Sequence, residues 1–423
     1  MKYIPLFRAH LCPVAFFLCT LALQAAEPSA PRTVTIAECL RRVAEQSPDL
    51  KSGLHRTEAA TRRAKQAARP INPRLEAEIE NILGTGANES FDSAETTVAL
   101  SQEFELGGKR RQRTAVAQAE TVVSRAEQEV RLRTLLFETR RAALAVQTAQ
   151  EKVRLAEEEL ALIREIENVA ITRQEAGKAA ILETDRARAD TEKALIALDA
   201  LKAEQHDAVR DLALCWGETE PSFETVAGSV DVGSSSVPLL ETLLAQVASN
   251  PEIKAAHAQT RTYEAKIGVE RAARLPNVEL RAGVRRFEES SDFGFVIGAG
   301  IELPFYTRNR DGVRAAEADA EAMRLESTAT RIRIEGHVRQ LYARLGTLAT
   351  KNASLKTTVI PATERTLGLV IEAHKLGKAG YLDVLEARRT LVDARSKIIE
   401  TSTEYQSIRI ALAHLTNTHS ENL

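Results

Sequence analysis

The side chains able to do chemistry are dispersed along this chain rather than gathered. His55, His206, His257, His337, His374, His414 and His419 stand apart, none with a partner at i+4 or a cysteine nearby. No zinc-binding cluster is therefore spelled out, and such histidines read as surface or helix-seam residues. No nucleophile elbow or phosphate loop is present either. Met1 and Met323 are the only methionines, so the chain offers no thioether relay for soft copper or silver ions. The expectation is a protein with no cofactor, no resident metal and no catalysis. What stands out instead is charge in rows. Glu76, Glu78 and Glu80 alternate with Leu75, Ala77 and Ile79, and Glu279, Arg281 and Arg285 alternate with Val278, Leu280, Ala282 and Val284.

A period of two with one apolar face is the pattern of a half-buried strand. A third run alternates Phe293, Phe295, Ile297, Ala299 and Ile301 with small residues, and a weaker fourth spans 96–102. Each is about nine residues, the length a tilted strand needs to cross a bilayer. The alternative is a soluble antiparallel sheet packed on helices. Two features favour a barrel. Six of the eight phenylalanines beyond the leader lie in or beside these hairpins, as in the aromatic girdles of membrane barrels. The opposite face is charged, as a water-filled lumen allows, which makes Glu76, Glu78, Glu80, Glu279, Arg281 and Arg285 candidate lumen residues. Four strands cannot close a barrel and lipid does not tolerate open edges. Two copies would leave an interior packed with side chains and three an aqueous bore, so a homotrimer in contact with lipid is expected.

The strands are embedded in helix. Residues 108–175 contain no proline and, after Gly108, no glycine, and Ala142, Val146, Ala149, Val153, Ala156, Leu160 and Ile163 alternate spacings of four and three. That is a coiled-coil seam, on a helix about 100 Å long at 1.5 Å per residue. Helices are also expected over 35–68, with Thr35 as N-cap, and over 185–216, the two together matching the long one. The pattern then recurs. Ser47-Pro48-Asp49 returns as Asn250-Pro251-Glu252, and Gly177-Lys178-Ala179 as Gly377-Lys378-Ala379, with offsets of 200 to 205. A duplicated unit is the economical reading, with second-half helices over 239–273, 310–374 and 385–415. The limits expected are repeats at 27–216 and 239–416, a Gly/Ser/Pro-rich linker at 217–238 and a tail at 417–423. Residues 1–26 read as a secretory signal, basic at the start, briefly apolar and ending in small residues. Cys19 lacks the small preceding residue that lipidation favours. Cys39 and Cys215 remain beyond the leader, where a disulfide is permitted but small buried apolar residues serve equally. The net charge of −2 predicts no attraction to nucleic acid. Helices alone would also suit a rod-like structural coiled coil.

The stretch Gln102-Glu103-Phe104-Glu105-Leu106-Gly107-Gly108-Lys109-Arg110, its counterpart Glu302-Leu303-Pro304-Phe305 and the two glycine-centred turns resemble the TolC family of outer-membrane efflux ducts, in its heavy-metal (CzcC-like and CusC-like) branch. The resemblance covers 35–417. It implies a mixed membrane architecture: a trimeric transmembrane β-barrel with four strands per chain, continued by a long periplasmic α-helical coiled-coil barrel. It implies an exit duct in the bacterial outer membrane, working with a periplasmic adaptor (membrane fusion) protein and an inner-membrane RND pump, and exporting divalent metal cations or, alternatively, organic solutes. Gly177, Lys178, Ala179, Gly377, Lys378 and Ala379 would be the adaptor-contact tips. Asp383 and Glu386, with Glu183 in the first half, would form acidic rings at the entrance. Arg186 stands where the first half would need the second acid.

Overall fold

The computed structural model describes residues 32–232 and 238–416. The leader, Cys19 and the tail lie outside the described residues. The first half runs β1 (Thr33–Val34), α1 (Ile36–Gln46), α2 (Pro48–Ala67), β2 (Arg74–Glu80), β3 (Glu95–Phe104), α3 (Lys109–Glu175) and α4 (Ile181–Leu214). After β4 (Thr225–Val226) the second half follows with α5 (Leu240–Val247), α6 (Pro251–Ala272), β5 (Val278–Phe287), β6 (Phe293–Ile301), α7 (Arg310–Ser354), α8 (Ile360–Lys375) and α9 (Tyr381–Thr416).

The long helix forms as its composition dictates. α3 has 67 residues, and Val146, Ala149, Val153, Leu160 and Ile163 of its seam are buried. α2 packs on its upper part and α4 on its lower part, while α6 and α9 join it from the second half. Among the described residues no helix is long and apolar enough to cross a membrane.

Four expectations are corrected. The helix expected over 35–68 breaks at Ser47, because Pro48 has no N–H to continue the first helix and instead opens the next at its first position. The helix over 239–273 breaks at Asn250-Pro251 for the same reason. Here Asn250 caps α6, its side-chain oxygen accepting from Glu252 N–H at 2.7 Å. The helix over 310–374 is interrupted by a π-turn at Leu355–Val359, ahead of Pro361. A wide turn and a proline both disturb the i→i−4 ladder. The described part of the expected linker, 217–232, is packed rather than free. Phe223, Val226 and Val230 are buried, and β4 pairs in parallel with β1. Its sparse apolar residues fit no period, yet they anchor it on the helices.

Each half has a core where the short helices meet the long ones. Val34, Cys39, Val43, Trp216 and Phe223 form one; Leu243, Val247, Val338 and Leu412 form the other. Cys39 and Cys215 are both free thiols.

Candidate functional site: a charged sheet face and two interlocked hairpin tips

The four long strands form one antiparallel sheet in the order β2-β3-β5-β6. Its register (Glu76 opposite Ala99, Ala99 opposite Gly283, Gly283 opposite Val296) places alternate residues of all four strands on a common face. One face is apolar and open. Leu75, Ile79, Val98, Leu100, Val284 and Phe293 lie on it exposed, and Phe295 and Ile297 are 88% and 86% exposed. A patch of this kind is incompatible with water on a stable monomer.

The other face carries every lumen residue expected from the sequence: Glu76, Glu78, Glu80, Glu279, Arg281 and Arg285. The register adds Arg74, Glu95, Thr97, Ser101 and Glu103. Arg285 donates to Glu80 at 2.8 Å, to Glu95 at 2.6 Å and to the Thr97 hydroxyl at 2.9 Å. Arg281 lies 3.7 Å from Glu76 and donates to Glu78 at 3.3 Å. Arg281 and Arg285 of β5 thus lean across β3 onto the acids of β2, and Thr97 and Ser101 are buried beneath them. Six glutamates face three arginines here, so the face keeps net negative charge. Thr97 was legible as a strand residue and Glu95 lay one residue outside the expected strand; neither was legible as an arginine partner, which only the register reveals. Among the described residues, β2 and β6 have no further strand partner on their outer edges.

The junction from sheet to helix explains the QEFELGGKR stretch. Gly107 and Gly108 both have left-handed φ, +69° and +73°, the conformation that glycine adopts without penalty. A Cβ on Gly107 would also come within 2.9 Å of Leu275. Glu105 holds Arg113 in a two-oxygen ion pair, and Lys109 donates to Asn277 at 2.6 Å. The turn is thereby tied across both halves.

At the far end, α3–α4 and α8–α9 form two hairpins with one backbone solution. Gly177 and Gly377 have φ of +69° and +71°. Lys178 N–H bonds the Arg173 carbonyl and Lys378 N–H the Ala373 carbonyl, each at 2.8 Å. These are Schellman turns, and a Cβ on either glycine would meet nothing within 4 Å. The glycines are fixed by conformation, not by crowding. Lys178 and Lys378 are exposed; Ala179 and Ala379 are half-buried.

Of the three expected entrance acids, the structure brings two together. Asp383 and Glu386 are exposed on the first turns of α9, where carboxylates also suit the helix dipole. Asp383 accepts from Gly380 N–H at 2.8 Å and so caps its own helix. Glu183 differs. It turns inward, with Oε1 3.2 Å from His374 Nε2 and 3.9 Å from Arg173 Nε. Arg173 in turn donates to the His374 carbonyl. Tyr381 packs behind this group with Ile166, Ala170, Ala187 and Val384, and its hydroxyl donates to Asp190 at 3.4 Å. Burial pushes the Tyr381 phenol up to about 12, with Asp190 adding to the rise. Arg173, Asp190 and Tyr381 escaped the sequence reading, and His374, expected as a surface or seam residue, is buried at the hairpin contact. The available signal was the repeat itself, which sets His374 against Gln174 and Tyr381 against Ile181.

Known proteins are similar to this chain. The cobalt-zinc-cadmium resistance protein CzcC of Cupriavidus metallidurans is 28% identical over 309 residues, covering 72% of each chain. The nickel-cobalt-cadmium resistance protein NccC of Alcaligenes xylosoxydans xylosoxydans is 29% identical over 321 residues, covering 74% of this chain and 71% of that protein. Among solved structures, CusC superposes with a TM-score of 0.76 at 18% identity, over 91% of this chain and 92% of that one. The fold is therefore that of the TolC-like channels. The model of the family described as Outer membrane efflux protein matches residues 39–218 and 244–418, most of the chain in two successive segments. With a lipid-ready sheet at one end and long paired helices at the other, this chain belongs to the outer membrane efflux protein family, whose members are channels of the outer membrane with a periplasmic helical domain and not enzymes.

Proposed function

We propose that three copies close a transmembrane barrel and conduct divalent heavy-metal cations from the periplasm to the outside. The observation that carries this is the sheet: one face apolar and exposed, the other charged, both edges open. Two open edges in lipid demand neighbours. A row of partly paired glutamates and arginines is costly in a dry interior, which favours the wider, water-filled trimer over a packed dimer. The excess of acids makes that bore attractive to cations. The names of CzcC and NccC, both metal-resistance proteins, support metals as cargo.

Conduction is passive in this reading. An inner-membrane pump of the RND class supplies the energy, and a periplasmic adaptor meets the turns at Gly177, Lys178, Ala179, Gly377, Lys378 and Ala379. Asp383 and Glu386 form the acidic entrance. Glu183 contributes from behind, joining the hairpins rather than lining the ring.

Cells lacking the chain, and the same cells complemented, would be loaded with cobalt, zinc or cadmium. The deletion should retain several-fold more cell-associated metal, reversed by complementation. Equal retention together with raised sensitivity to organic solutes would replace metals by organic cargo.

A further inference from the structure

His374 sits where the two hairpins of one chain touch, and its side chain is 3% exposed. Its Nδ1 lies 3.1 Å from the Ala379 carbonyl and its Nε2 3.2 Å from Glu183 Oε1. Both neighbours are acceptors. A neutral imidazole has one N–H and one lone pair, so it satisfies one contact and sets lone pair against lone pair at the other. Only the imidazolium can face both. We infer that His374 is a proton-dependent clasp between the hairpins, a positioning residue that holds the entrance closed while its ring is doubly protonated. The inference rests on the duct reading above.

The surrounding charges fit a reversible contact. From α3, Arg173 stands 3.9 Å from the same Glu183 oxygen, so the carboxylate keeps a cation when His374 loses its proton. From α4 come Glu183 and, through Tyr381, Asp190. From α9, Tyr381 places its ring 6.4 Å from the imidazole, Arg388 lies near that phenol, and Asp383 is turned back onto Gly380. On its own helix, Lys375 is occupied by Glu372. Nε2 of His374, Oε1 of Glu183 and Nε of Arg173 are buried and make no well-aligned hydrogen bond among the described residues. The His374–Glu183 contact is thus held by charge proximity, which proton loss removes, while the Arg173 donation to the His374 carbonyl and the Tyr381 donation to Asp190 still cross between the hairpins. The apolar contacts of Tyr381 and Val384 beneath keep the tips in register when the clasp is open. The first hairpin carries Gln174 at the matching position, so each chain holds one such ring and a trimer three.

The full chain would be reconstituted in planar bilayers with a chelator present, and open probability recorded from about pH 5.5 to 7.5, the span in which histidine ordinarily changes charge. Wild type should open least at the acid end and roughly two- to fivefold more often at the upper end, the worth of one close but unaligned charge pair. His374→Gln and Glu183→Gln should both sit near the upper level with a flat profile. Both must first run as a heat-modifiable oligomer. Parallel profiles in wild type and His374→Gln would overturn the clasp. Closure of wild type by added zinc without chelator, abolished in His374→Gln, would overturn it in favour of a captured ion. Amide exchange at 174–184 and 374–383 reads the clasp without conductance: acid should slow it in wild type beyond the intrinsic rate and not in His374→Gln. Clasp behaviour there in a protein that never conducts would sink the duct reading alone.

Discussion

Gly283 is the position at which the sheet is least forgiving. It lies on β5 opposite Ala99 of β3, in the middle of the sheet. A Cβ built there would stand 2.5 Å from the Val98 carbonyl oxygen, 2.6 Å from Ala99 Cβ and 2.7 Å from Ala99 Cα. Most of these are backbone atoms and cannot swing away, so the strands themselves must part. Overpacking of this kind costs about 1–3 kcal/mol. Replacing glycine by alanine recovers about 0.4–1 kcal/mol by restricting the unfolded chain, which leaves Gly283→Ala destabilised by up to about 2.6 kcal/mol per chain, centred at about 1.3. Gly298 on β6 is the control. Its Cβ would meet only Arg281 Cβ, at 3.8 Å, an ordinary contact, so Gly298→Ala should be neutral or slightly stabilising. Both variants would be folded into lipid vesicles and unfolded in urea at equilibrium, with the oligomer's melting on unheated gels as a second readout. Equal behaviour of the two variants would refute the reasoning, because it would mean that β3 and β5 do not approach in this register.

Other outcomes follow from the helices. Asn250→Ala should cost about 2–4 kcal/mol, since it removes the cap of α6 and the 2.9 Å donation to the buried end of α9 at Leu415; urea unfolding of the variant checks this. Burial pushes the Cys39 thiol up to about 11 and raises that of Cys215. At pH 8 the Cys39 thiolate is then roughly one part in a thousand, so iodoacetamide should label neither residue in the folded protein and both in urea. Burial against Phe137, with Arg133 adding to it, holds His414 below its usual value of 6.5. A base lowered by folding stabilises above its unfolded value and loses that contribution as pH falls through it. His414→Gln should therefore flatten part of the loss of thermal stability below about pH 6.5.

The fold was legible where periodicity was long. The seam of α3 and the alternation in β2, β5 and β6 report burial that recurs at a fixed spacing, and Gly107-Gly108 marks a turn that only glycine makes cheaply. Three kinds of feature stayed hidden. Pro48 and Pro251 sit inside good helix-forming sequence, so the breaks there looked like helix interior until the first-position role of each proline was visible. Phe223 and Val226 are too sparse to set a period, and their burial depends on surfaces supplied by distant segments. The tip contacts are tertiary. Glu183 and Asp383 are equivalent in the repeat, yet one reaches across to His374 and the other caps its own helix. Nothing local distinguishes them except the partners that the other hairpin brings.

Electrical recording of the purified protein in planar bilayers tests the central claim most directly. The account predicts discrete, cation-favouring openings, with larger or more frequent conductance in Asp383→Ala/Glu386→Ala. A properly folded oligomer that inserts but never conducts in either form would contradict the duct.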